Sequence, residues 1–384
     1  MKIAGIISEY DPLHAGHIHH MEETRRKTGC DFIVCVMDGW MSQRGEPSFM
    51  DKFLRVRMAL TAGVDAVFEL PLCYSLRPAQ IFARGGVDIL NALGIDFLSF
   101  GCETDDLRTV REAADGLLHE TQEQKDTLRR LLSEGMSYPR ARAMAMGCAE
   151  NGLFDKPNFI LASEYLRRMS EISSPMEPVI VKRTGDYHAT GGEPLSASLV
   201  RRMLREGRTD EVLAALPEAL RPLYLEGLDG GIPDLSRADA YVLIVLRNTE
   251  ALKTAFPDDS EGLSARILKL AREAAGTEEL IEAVKCRRYI RARIARLIWN
   301  LVLDLPPVPE MTFLRLLGMR KEASPRLKEL NKRSGGRIVS DPARIADDPV
   351  FRAEERAASL WGLMTDKPAF RKAGRERTEK FILV

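Results

Sequence analysis

The feature that most narrows what this chain can fold into lies in its first seventeen residues. Ile3 to Ile7 run without polar alternation into Ser8-Glu9-Tyr10-Asp11-Pro12-Leu13 and then His14-Ala15-Gly16-His17. A strand with no polar face must be covered on both sides, the condition of a strand in a parallel sheet packed between helices. Asp11 and Pro12 end it abruptly, and the following segment reads as a helix. Glycine between the histidines lets backbone come close to a ligand, and the free N–H groups of the new helix would face an anion. Ligands in open α/β sheets sit beyond the carboxyl ends of strands, so the expected guest is a phosphate chain. Imidazoles there can donate hydrogen bonds to phosphate oxygens and stabilise charge that develops in a transition state. Four of the six histidines fall between positions 14 and 20. Two other readings compete: a His-rich helix cap without a ligand, and zinc held by His14 and His17 with His19 or His20. No Cys or carboxylate nearby completes an ordinary zinc spacing.

Residues 1 to about 205 alternate short apolar runs with amphipathic segments, the signature of βαβ units. Strands are expected at Ile3–Ser8, Phe32–Met37, Ala66–Leu70, Phe97–Phe100 and Pro178–Lys182. Helices are expected at Gly16–Lys27, Asp51–Ala62, Pro78–Leu93, Leu107–His119 and Phe159–Met169. Asp51 is a good N-cap and Gly63 a good stop for the helix carrying Lys52, Arg55 and Arg57. Beyond about residue 205 the strand signal fades into helical segments: Asp210–Ala215, Arg237–Thr249, Ser264–Ala275 and Glu278–Leu303. The expected architecture is therefore α/β, a Rossmann-like parallel sheet over 1–205 followed by a mainly α-helical domain over 206–384.

Lys and Arg number 56 and Asp and Glu 56, so the net charge is zero and a nucleic-acid partner would need a local basic patch. Lys285 to Arg296 is such a patch, cationic and free of acids, with Ile290, Ile294, Leu297 and Ile298 forming one helical stripe. It reads either as a phosphate-contacting face or as a solvated helix with one packed side. The six cysteines show no C-x-x-C pair, which fits reduced thiols. Glu9 and Asp11 interrupt the first strand too soon for a signal peptide, and no apolar stretch reaches membrane-spanning length. A cytoplasmic protein without a membrane partner is expected.

Two further segments carry candidate chemistry. The long polar loop Asp38 to Pro47 brings Gln43 and Arg44 near Lys52 as donors for phosphate or carboxylate. Leu195-Ser196-Ala197-Ser198-Leu199-Val200-Arg201 marks a second helix start. Ser198 would face the same phosphates there, with Arg201 or Arg183 neutralising a leaving group.

An early H-x-G-H and a late Ser-rich segment ending in Arg resemble the nucleotidylyltransferase superfamily. Gly5 to His17, Gln43-Arg44-Gly45-Glu46-Pro47, Phe68-Glu69-Leu70-Pro71, Phe100-Gly101-Cys102-Glu103, Lys156 to Leu161 and Arg288 to Arg296 resemble, more closely, the tRNA(Met) cytidine acetate ligase family. The resemblance implies an enzyme that uses ATP with Mg²⁺ to convert acetate to acetyl-adenylate. That enzyme would then acetylate the wobble cytidine of elongator tRNA(Met), an RNA and not a DNA substrate. It also implies ATP contacts from Ile7 to His20, including Glu9, Tyr10, His14, Gly16, His17 and His20, together with Gly101, Asn158 and Arg183. Ser198 is added to these from its helix start, and His14, His17 and Lys52 are the expected catalytic groups. No protein metal ligands are expected. The chain departs from the family pattern at Asp11, Leu13, Ala15 and Phe159, where the family has Asn, Phe, Asn and Asn, and in lacking Asp after Tyr187-His188. Alternative functions are a small-molecule or cofactor nucleotidylyltransferase, similar to a citrate lyase ligase, and a catalytically inactive RNA-binding homologue.

Overall fold

A computed structural model describes residues 1–136, 138–147, 152–183, 196–249, 259 and 262–384. Thr184 to His188 and Leu195 of the expected second phosphate segment lie outside the described residues. The strands are β1 Ile3–Ser8, β2 Phe32–Asp38, β3 Ala66–Leu70, β4 Phe97–Cys102, β5 Glu177–Lys182, β6 Leu314–Met319, β7 Ile338–Val339 and β8 Ile382–Leu383. They form one sheet in the order β5-β4-β1-β2-β3-β6-β7, with β8 also on β6. The first five strands of that order pair in parallel. β6 joins β3 antiparallel.

The N-terminal helices are α1 Ala15–Thr28, α2 Lys52–Thr61, α3 Leu72–Ser75, α4 Ala79–Ala92, α5 Leu107–Leu118, α6 Gln122–Ser133, α7 Tyr138–Ala145 and α8 Pro157–Glu171. α9 Ala197–Arg205, α10 Thr209–Ala214, α11 Arg221–Asp229 and α12 Asp239–Asn248 lead into α13 Leu263–Leu270, α14 Thr277–Val284 and α15 Arg291–Val302. The last three are α16 Leu327–Arg333, α17 Pro349–Met364 and α18 Arg375–Thr378. Every residue of β2 is buried. Ile33, Cys35 and Met37 pack into one core with α2 and α15, and Phe32, Val34 and Val36 into the other with α4 and α8. The unbroken apolar strands follow from this two-sided cover. None of the described helices is long and apolar enough to cross a membrane.

Two expectations are corrected. The sheet is not confined to residues 1–205, because β6, β7 and β8 of the later half extend it. Arg315, the second residue of LRLLGM, hides the apolar signal of β6, and β7 and β8 are two residues each, below the length at which alternation is visible. The expected helix Glu278–Leu303 is broken into α14 and α15. Cys286 N–H donates to the Tyr289 carbonyl at 3.3 Å, closing a turn that puts Tyr289 in the core. Ile290, expected on the packed stripe, is left 46% exposed.

Candidate active site

Strand order reverses between β1 and β4, whose onward connections run to opposite sides of the sheet. The crevice beyond the carboxyl ends of these neighbours is where an open α/β sheet binds ligand. His14 caps α1 from extended backbone (φ −138°). Its Nδ1 accepts the Gly16 N–H at 3.1 Å, and His17 Nδ1 accepts the His14 N–H at 3.2 Å. This reciprocal cap has a chemical consequence. A neutral imidazole that accepts at Nδ1 carries its hydrogen on Nε2, so the two rings, 3.9 Å apart between centroids, offer a pair of Nε2–H donors. Burial, followed by the Arg183 charge, lowers the pKa of His14 to about 3. Burial, His14 and Arg183 hold His17 well below its ordinary value. Both rings are neutral donors at pH 7, and an incoming polyanion would favour their protonation.

Gly16 is required by the same geometry. A Cβ there would lie 2.9 Å from His14 Cε1. Gly16→Ala is expected to push the His14 ring off its cap and to lower ATP affinity about tenfold, the scale of one lost hydrogen bond to a charged group. Isothermal titration with ATP checks this, and wild-type affinity would show that the His14 position is unimportant.

Several expected site residues stand at the ends of the strands and at the starts of the helices that follow them. The Arg183 N–H donates to the Cys102 carbonyl at 2.8 Å. The stem of Arg183 covers Gly101, where a Cβ would sit 3.3 Å from Arg183 Cγ. Asn158, in the first turn of α8, donates its side-chain amide to Glu103 at 2.8 Å. Glu9 accepts the Gln43 N–H at 2.7 Å, which ties the long polar loop to the end of β1. Arg201 of α9 donates to the Asp11 carbonyl at 2.6 Å and to Ser198 Oγ at 3.4 Å. α9 itself is capped by Ser196. Ser198 thus reaches the edge of the H-x-G-H loop through Arg201.

Other expected contacts are directed elsewhere. The Tyr10 side chain is 1% exposed and packs in the core, touching His17 edge-on at 5.0 Å. Ile7 packs on Gly86 of α4. His20 Nε2 meets Ser99 Oγ of β4 at 3.0 Å, and burial with Arg183 lowers its pKa to about 4.

Lys52 does not reach the crevice. It is fully buried, with Nζ bonded to Glu69 at 2.5 Å and to Glu376 of α18. Arg315 of β6 bridges the same two carboxylates, 3.2 Å from Glu69. Buried lysine without partners is costly, so an amphipathic helix position that reads as a donor for ligand is satisfied internally. Glu69, Glu354 and Glu376 are close enough to chelate a cation, but the Lys52 ammonium is bonded to two of them. Burial and the neighbouring Glu69 raise the Glu354 pKa to about 8, whereas Lys52 and Arg315 overcome burial to lower Glu376 to about 2. Protonated Glu354 makes the five-residue cluster neutral.

Glu354 holds its proton in the folded state between its ordinary pKa, near 4.5, and about 8. The native state then binds more protons than the unfolded one, so stability falls as pH rises through that window. Glu354→Gln is expected to flatten the decline, as read by urea midpoints at pH 5 and pH 8. A decline equal to wild type would place the titration elsewhere.

Sequence reading passed over two residues of this region. Arg55, fully buried on α2, donates to the Glu9 carbonyl at 2.6 Å and to Asp38 at 2.8 Å. Glu103 anchors Asn158. Glu103 stands in a segment that carries the family resemblance and Arg55 stands beside Lys52 on the expected helix, but a buried arginine and a surface one look alike in sequence.

The basic run is only partly available. Arg291 pairs with Glu278 at 2.7 Å and lies 3.7 Å from Glu282. Arg296 is buried and donates to the Gln43 carbonyl at 3.3 Å. Arg288 lines an open hollow of about 540 Å³ with Arg266 and Lys269 of α13.

A family model described as HIGH Nucleotidyl Transferase matches residues 1–376. The tRNA(Met) cytidine acetate ligase of Acetivibrio thermocellus is 34% identical, with both chains covered in full. The one of Fervidobacterium nodosum is 35% identical over 88% of this chain and 84% of its own. The crystal structure of Thermotoga maritima TmcAL bound with alpha-thio ATP superposes with a TM-score of 0.88 at 27% identity, covering both chains in full. The crevice between β1 and β4, with its two capped histidines, thus lies in a chain that belongs to the HIGH nucleotidyl transferase family and, within it, to the tRNA(Met) cytidine acetate ligases.

Proposed function

We propose that this enzyme activates acetate with ATP and transfers the acetyl group to the wobble cytidine of elongator tRNA(Met). The observation that carries the reading is the pair of Nε2–H donors at the β1 to β4 crevice. Its support is the full-length likeness to enzymes of that name. Acetate is a poor acyl donor because oxide would have to leave. Attack of its carboxylate oxygen on the α-phosphorus of ATP expels pyrophosphate and yields a mixed anhydride that an amine can open. No covalent nucleophile on the protein is needed, only alignment and charge stabilisation. His14 and His17 donate to phosphate oxygens, and Arg183 and Arg201 neutralise the departing pyrophosphate. Mg²⁺ supplies further charge neutralisation when it arrives with the triphosphate. Gly101 and Asn158 are assigned further ATP contacts, as the family resemblance implies.

Residues 206–384 are assigned the tRNA contacts. The cations that matter are Arg266, Lys269 and Arg288 around the open hollow, and not Arg291, which Glu278 neutralises. Lys269→Glu with Arg288→Glu is expected to weaken tRNA binding about tenfold or more at low salt and to reduce its salt dependence, because phosphate contacts release counterions. Acetate-dependent pyrophosphate exchange without tRNA should change little. Filter binding across a salt series checks this, and unchanged affinity would move the RNA face elsewhere.

Incubation with ATP, labelled acetate and bulk tRNA tests the function. Label in tRNA supports the ligase. Adenylate formed without transfer would indicate a small-molecule nucleotidylyltransferase, and no reaction an inactive RNA-binding homologue.

A further inference from the structure

Acyl transfer to an amine has a requirement that phosphate donors do not meet. When the exocyclic N4 of cytidine attacks the carbonyl carbon of acetyl-adenylate, a C–N bond forms and the C–O bond to the AMP phosphate breaks. AMP leaves as its anion, and one N4 proton must go to an acceptor. The histidines of the site are poorly disposed to take it. His14 and His17 already use Nδ1 as acceptor for backbone N–H groups, so in the neutral form each presents only a donor. His20 Nε2 is engaged with Ser99.

The carboxylates at the strand ends can be separated in the same way. Asp11 accepts the Phe49 N–H at 2.7 Å, is 4% exposed and lies 3.9 Å from Arg201. Asp38 is buried against Arg55 at 2.8 Å. Glu103 is occupied with Asn158 through one oxygen, and its other oxygen is buried. Glu9 differs from all three. It follows the last residue of β1 on the approach to His14, is part-exposed, and has one oxygen fixed by the Gln43 N–H at 2.7 Å. The other oxygen accepts no hydrogen bond from a described residue, so a carboxylate of defined orientation presents an open lone pair at the crevice.

We propose that Glu9 accepts the cytidine N4 proton as the amine opens acetyl-adenylate, an assignment that rests on the ligase reading above. The charged and titratable groups facing it are Arg44 from the polar loop, Arg55 from α2, Asp11, Asp38 from β2 and Tyr165 from α8. Burial raises its pKa above the ordinary carboxylate value, and the Gln43 N–H, Arg44 and Arg55 pull against that rise. A base raised toward neutrality is better matched to proton transfer near pH 7. The transfer rate should climb with pH while Glu9 loses its proton and then level off.

The test measures two half-reactions on the full-length enzyme. One is acetate-dependent pyrophosphate exchange, and the other is single-turnover transfer from preformed acetyl-adenylate to tRNA. Glu9→Gln is expected to lower transfer about a hundredfold, within the usual range for a lost general base. Exchange should fall at least tenfold less than transfer, and the acid limb of the transfer profile should disappear. Glu9→Asp should restore part of the transfer rate and bring the limb back. Hydroxylamine, a nucleophile that needs less help with its proton, should still capture acetyl groups from the Glu9→Gln enzyme. Equal losses of exchange and transfer in both variants would overturn the proposal and leave Glu9 as a support for the Gln43 loop. A retained acid limb in Glu9→Gln would overturn it as well. If wild-type enzyme forms acetyl-adenylate and never labels tRNA, the ligase reading itself fails, and that result is visible without any variant.

Discussion

Alanine at position 17 lowers acetate-dependent pyrophosphate exchange by roughly a hundredfold or more, the scale for losing one preorganised donor to developing charge. His17 matters twice over. Its Nδ1 holds the His14 N–H at 3.2 Å, and that acceptance leaves Nε2–H for the phosphates. The two contributions are separable. Loss of the cap alone costs about 1 kcal/mol of stability, a small shift in the thermal midpoint, whereas loss of the donor appears in the rate. His17→Ala should therefore unfold within a few degrees of wild type while exchange collapses. Near-normal exchange in the folded variant would remove the histidine pair from the mechanism.

Lys52→Met should act in the opposite sense, on the fold more than on the chemistry. The ammonium is fully buried between Glu69 and Glu376, and breaking such a pair from one side costs about 3–5 kcal/mol because the remaining charges stay buried without compensation. Arg315 and protonation of one carboxylate relieve part of that cost. The expected result is a chemical-denaturation midpoint lowered by a large fraction of the total stability, or an insoluble product. A variant as stable as wild type but inactive in exchange would restore Lys52 to the catalytic group. Glu376→Gln should show a smaller stability loss in the same assay.

The parts of the fold that were legible in sequence are those whose signal is local. β1 and β3 begin and end at the residues expected for them, and Asp51 caps α2 as its position suggests. The helix start at H-x-G-H was legible because a buried strand ends just before it, and His14 caps the helix there. What was not legible depends on long-range partners. Lys52 reads as an exposed donor until Glu376, 324 residues away, meets it. β6 carries Arg315 in a strand that is buried throughout, a pattern that makes sense only with Glu69 and Glu376 beside it. The break before α15 comes from the burial of Tyr289, and no proline or glycine announces it. Arg291 looked available for RNA because its partner Glu278 lies on a separate helix.

The separation between Lys52 and Glu376 also bears on how the molecule is made. At the usual pace of translation, roughly a quarter of a minute to a minute passes between synthesis of the ammonium and of its counter-carboxylate. For most of that interval the nascent first half has a bare edge at β3, since β6 comes only at Leu314–Met319. Its core holds a cation with only part of its compensation. The crevice beyond β1 and β4 gains its full foundation only once β6 and Glu376, both encoded far downstream of it, have been made.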